Sequence, residues 1–109
     1  MAGRKQRVGS GPATDVAAVV ADLREQLSAL EAQAVEIASS LNREIARASE
    51  AEERAMTAVR EGDDMGARAA LTENQDAVDA AGILQAELTL LKDMAVTCRE
   101  AVERWTEDH

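Results

Sequence analysis

Residues 55–71, AMTAVREGDDMGARAAL, form the stretch on which the fold turns. As far as Glu61 the pattern is uninterrupted helix. Gly62-Asp63-Asp64 then supplies a glycine suited to the left-handed C′ position and an aspartate able to N-cap a new helix. A chain that stops and restarts a helix within three residues must reverse. The expected fold class is therefore all-α, a long antiparallel two-helix coiled-coil hairpin. Its parts are a flexible basic arm over residues 1–14, a first helix over about 15–61, a tip at 62–64 and a second helix over about 64–106.

Working outward from the tip, each side carries a heptad seam. Before it, Val16, Val20, Leu23, Leu27, Leu30, Ala34, Ile37 and Leu41 alternate spacings of four and three, the face of a helix that packs along its length. The seam is then expected to break at Glu44, with Ile45 taking over and Ala48, Ala51, Ala55 and Ala58 narrowing the contact toward the tip. After the tip, Ala81, Leu84, Leu88, Leu91, Ala95, Cys98, Val102 and Trp105 run without a fault, and Asn74 lies on their backward extension through Ala77 and Ala70. One polar residue there can fix register, or it can simply be exposed. Folding about Gly62 to Asp64 pairs Leu84 with Leu41, Leu88 with Ile37 and Val102 with Leu23. Gly82 costs about 1 kcal/mol against Ala inside a helix, so it marks a bend or a close helix approach. On the outer face Glu50 precedes Arg54 in the favourable i,i+4 order.

Composition agrees with thin packing. The 109 residues include one Trp, no Phe and no Tyr, so Ala, Val and Leu must make the core and a thick globular interior is not expected. Of the net charge of −9, residues 1–15 contribute +2 through Arg4, Lys5 and Arg7 against Asp15, which leaves the helical body at −11. Such a body disfavours nucleic acid and anionic bilayers, both of which require basic surface.

Met1 to Thr14, with three Gly, a Pro and three basic residues, is expected to be a disordered arm, either a weak polybasic tether or a solubilising tail. Pro12, Thr14 and Asp15 supply the start signals of the first helix. One cysteine makes no internal disulfide, and no apolar run suits a membrane span or secretory core, so the cytoplasm is the expected compartment. Cys98, in the seam without a neighbouring His or second Cys, reads as packing. His109 is a lone terminal His and offers no metal site. The carboxylates are scattered over solvent faces, so neither catalytic residues nor a cofactor are expected.

Ala58, Val59, Arg60, Gly62, Asp64, Ala67, Arg68, Ala70 and Leu71 follow A-[LV]-R-x-G-x-[ED]-x-x-A-R-x-A-L, the hairpin-tip pattern of the phage shock protein A family, including its thylakoid-maintenance relatives, within the ESCRT-III superfamily. LQAELTLLKDMA, Leu84 to Ala95, is similar to that family's second helix. The resemblance spans roughly Glu52 to Glu103. It implies a peripheral protein of the inner membrane whose hairpins pack into assemblies that reshape lipid, and whose members can restrain an AAA+ transcription activator. It singles out Gly62, Asp63, Asp64, Ala67, Arg68 and Leu71 as the tip. Two departures stand against a full transfer. The family inserts an amphipathic N-terminal helix, whereas Met1 to Thr14 has no apolar face, and the family continues beyond the point where this sequence ends, so a hairpin-only relative is expected. Met65 and Gly66 replace an acidic residue and an apolar one, which is expected to loosen the turn.

The expected function is thus a non-enzymatic scaffold or regulator in membrane-stress response, acting as a homo-oligomer or with a full-length relative or an AAA+ regulator, with weak or indirect membrane contact. The alternative is a stand-alone coiled-coil adaptor that oligomerises and binds a protein partner without a lipid role.

Overall fold

The computed structural model describes residues 12–108; the expected arm lies outside them except for Pro12 to Thr14, which already belong to the first helix. Two helices account for all but the turn, α1 from Pro12–Arg60 and α2 from Asp64–Asp108. This is the all-α hairpin that the sequence predicts. The helices close on each other through a three-residue link, Glu61, Gly62 and Asp63.

The link works because one residue ends α1 and begins α2. Gly62 has φ +74°, the left-handed conformation that a side chain disfavours. With it in place, Gly62 N–H donates to Val59 O at 3.1 Å and Asp63 N–H donates to Ala58 O at 2.8 Å, the paired bonds of a Schellman cap. Asp63 then caps α2 in its turn. Its Oδ1 accepts from Gly66 N–H at 2.9 Å, and its carbonyl accepts the first helical bond, from Ala67 N–H at 3.0 Å. Gly66 belongs to this device rather than loosening it. A Cβ there would stand 2.2 Å from Asp63 Oδ2, so any larger residue would push the carboxylate out of its capping position.

Two compact units divide the hairpin. The tip unit, Ala34–Leu90, contains the turn; the end unit combines the α1 residues up to Gln33 with the α2 residues from Leu91 on. In the tip unit Leu41, Ala51, Ala55 and Ala58 of α1 are buried against Ala67, Ala70, Ala77 and Leu88 of α2. Among the described residues of the end unit only Ala95 and Cys98 are buried, while Leu23, Leu27, Leu30, Leu91, Val102 and Trp105 are half-buried on the same seam. Ile37 and Leu84 of the tip unit are half-buried as well.

Three sequence expectations need correction. The α1 seam does not pass from Glu44 to Ile45: Ile45 is 53% exposed, and the half-buried Glu44 keeps the four-three spacing from Leu41 to Ala48. Periodicity therefore outweighs hydrophobicity at that step, because Glu44 lays its aliphatic stem on the seam and sends its carboxylate to Arg47. The pairing is also shifted toward the tip, since Leu23 is met by Cys98, one seam position before Val102: the Cys98 thiol donates to Leu23 O at 3.1 Å. Finally, of the two readings of Gly82 the close helix approach is excluded, since Gly82 is exposed and a Cβ on it would meet nothing within 4 Å.

Candidate functional site at the hairpin tip

Taking the seam residues as heptad positions a and d, positions e and b form one flank of the tip unit and positions g and c the other. The two flanks differ in chemistry. On the g and c flank, Arg47 donates from Nε and Nη2 to Glu44 Oε1 at 2.9 and 2.8 Å and brings Nη1 to 4.0 Å from Glu73 Oε1. Glu73 Oε2 in turn accepts from Arg54 Nη2. Alternating charges thus run from α1 to α2 and back. Arg54 takes its partner from across the hairpin, not the Glu50 one turn earlier, because α2 presents Glu73 within its reach. The members are a quarter to half exposed, so each pair contributes at most about 1 kcal/mol and the chain of pairs chiefly sets alignment.

Beside this network Asn74, half-buried on the α2 seam, donates from Nδ2 to Ala48 O at 2.8 Å. Of its two readings, the register-fixing one therefore holds. A slip by one seam position would strip the amide of this acceptor, at a cost of about 1–3 kcal/mol if the group stayed buried.

The e and b flank has no such closure. Ile45, Met56 and Val59 of α1 and Leu71 and Val78 of α2 are all exposed, Val59 at 67%, and Met56, Val59 and Leu71 line one shallow depression with Glu52 and Arg60 at its edges. From Ala38 to Val59 and from Arg68 to Gln85, the only charged residues at e and b positions are Glu52 and Arg68. Neither is in an ion pair among the described residues. Exposed apolar side chains grouped like those of Met56, Val59 and Leu71 mark an interaction site more often than scattered single residues do.

The tip motif separates into two sets of residues. Ala58, Gly62, Asp63, Ala67 and Ala70 build the turn and the seam, where small size and positive φ are required. Asp64 opens α2 as its first helical residue, exposed, with its negative charge at the favourable end of the helix dipole. Val59, Arg60, Arg68 and Leu71 face outward, and nothing in the fold demands their identity. Arg60 donates only to Thr57 Oγ1, at 3.2 Å, within its own helix.

In the end unit the strongest feature is an open groove bordered by Leu23, Leu30, Met94, Thr97, Cys98 and Ala101, with the Arg99–Glu31 pair at 3.1 Å. Among the described residues no three His, Cys, Asp or Glu are placed to hold a metal ion, and no helix is long and apolar enough to cross a membrane. Compared with protein-family models, curated proteins and solved structures, the chain matches none.

Proposed function

We propose that the chain is a non-enzymatic scaffold hairpin of the phage shock protein A kind, which assembles with copies of itself or with a full-length relative at the cytoplasmic face of a stressed membrane and can there restrain an AAA+ regulator. One observation carries the assembly part of this reading: on one flank of the tip unit Arg47, Arg54 and Glu73 link the helices through ion pairs, while on the other Ile45, Met56, Val59, Leu71 and Val78 stay exposed on both helices. The outward residues of the tip motif, Val59, Arg68 and Leu71, lie on that uncovered flank.

Membrane contact is indirect in this reading. The helical body carries −11, and Arg4, Lys5 and Arg7 each supply only about 1 kcal/mol at an anionic surface. Co-sedimentation with vesicles tests it, with and without residues 1–14 and with and without a full-length relative. The expected result is no binding to neutral vesicles, weak salt-sensitive binding to anionic ones, and recruitment when the relative is added. Tight binding by the protein alone in about 0.5 M salt, where the screening length is a few Å, would overturn indirect recruitment.

The acidic body also favours a second reading, a coiled-coil adaptor that oligomerises and holds a protein partner with no lipid role. Failure of recruitment by the relative, with the oligomer intact, selects it.

A further inference from the structure

We infer that the uncovered flank of the tip unit is occupied by the same flank of a second copy, with the two hairpins side by side, tips level, and a two-fold axis running along the helices. This rests on the assembly part of the proposed function and is independent of its membrane part. In such a dimer α1 of one copy covers α2 of the other: counted from the Asn74–Ala48 bond, Ile45 stands level with Val78 of the second copy, while Met56 and Val59 lie about one and two turns nearer the tip than Leu71 on the same covered face.

Charge selects this partner and this orientation. The Asn74–Ala48 bond sets the level of the two helices. Counting from it toward the tip, Glu52 on α1 and Arg68 on α2 stand within roughly 3 Å of the same height. They are an acid and a base, exposed, on an otherwise uncharged flank. A two-fold axis along the helices therefore sets Glu52 of each copy against Arg68 of the other, and the pair is made twice. Turning the second hairpin end for end about the middle of the stripe would instead bring Glu52 against Glu52. Size agrees: a helix pair about 20 Å wide, followed for about 40 Å of tip unit, offers on the order of 800 Å², which is what a standard interface buries per partner. The opposite flank already joins its helices through the Arg47, Arg54 and Glu73 ion pairs, and its large exposed apolar residues Ile83 and Leu90 both lie on α2, with none on α1 to meet them among the described residues.

Sedimentation equilibrium on the full chain tests the pairing, using E52R, R68E, their equimolar mixture and the double variant, with helicity checked by circular dichroism. The wild type is expected to dimerise at micromolar concentration. Each single variant sets like charges together twice and should raise the dimer Kd roughly tenfold or more. The mixture restores both pairs in a heterodimer and the double variant restores both in a homodimer, so each should return to the wild-type Kd. A monomeric wild type at about 100 μM, single variants that dimerise like wild type, or a mixture without rescue would overturn the inference. The membrane reading fails separately: a wild-type dimer that no relative recruits to vesicles leaves the pairing standing, whereas a monomer that is recruited defeats the pairing alone.

Discussion

The two halves of the hairpin follow the same heptad spacing and pack differently. In the tip unit most seam positions nearest the turn are alanine, and most of those alanines are buried, Ala51 and Ala77 completely. In the end unit the seam is mostly Leu and Val, yet those side chains stay half-exposed while the smaller Ala95 and Cys98 are buried. Two helices cover a seam side chain from the facing side only, so the flanks of a large one stay open to solvent. Small residues allow close approach and complete covering, and a large one is covered only where its neighbours are small. Leu41 and Leu88 are the large side chains buried in the tip unit.

If covering rather than hydrophobicity sets the stability of each layer, truncating Leu88 should cost the most. Leu88→Ala is expected to destabilise by about 2–3 kcal/mol and the half-buried Leu30→Ala by about half as much, as read from urea unfolding. Equal losses at the two sites would abolish the distinction between the units. Enlargement probes the same point from the other side. Ala51→Leu has no free volume to enter and should cost about 1–3 kcal/mol despite its added apolar area; a more stable variant would show that the tip seam is not close-packed. The glycines sharpen the contrast between turn and helix. Gly62→Ala is expected to lose about 1–2 kcal/mol through its positive φ, whereas Gly82→Ala, with open space around it, should gain up to about 1 kcal/mol, so thermal melts should move in opposite directions. The smallest effect belongs to the exposed charges. A double-mutant cycle on Arg54 and Glu73 should give a coupling of a few tenths to 1 kcal/mol that fades in high salt. A larger, salt-independent coupling would make the ion-pair flank a primary source of stability.

The turn was the most legible feature, because Gly62 and the aspartates after it have few other uses at a helix end. The α2 seam was equally readable, since Leu84, Leu88 and Leu91 repeat without interruption. Glu44 was misread because a carboxylate on a long stem satisfies an apolar seam with one part and a cation with the other, and residue type alone does not say which part is buried. The layer pairing of Cys98 with Leu23 depends on how tightly the turn closes, a matter of φ at one glycine rather than of spacing. The candidate surface was half visible. Ile45, Leu71 and Val78 stand out as apolar residues left off the seam, but the closure of the opposite flank by Glu73 links residues far apart in the chain, and no local pattern announces it.

Asp63 completes the cap of α1 and supplies the cap of α2, so each of the three link residues takes part in a bond that ends one helix or starts the other. The turn therefore acts as a phase lock. One residue added after Gly62 would advance α2 by about 100° and carry Ala67, Ala70 and Ala77 away from α1, so a single insertion at the surface should damage the interior as much as a core substitution does. Elsewhere the two helices can change length together in steps of seven with every layer preserved. Length in this hairpin is thus quantised along the helices and fixed at the turn.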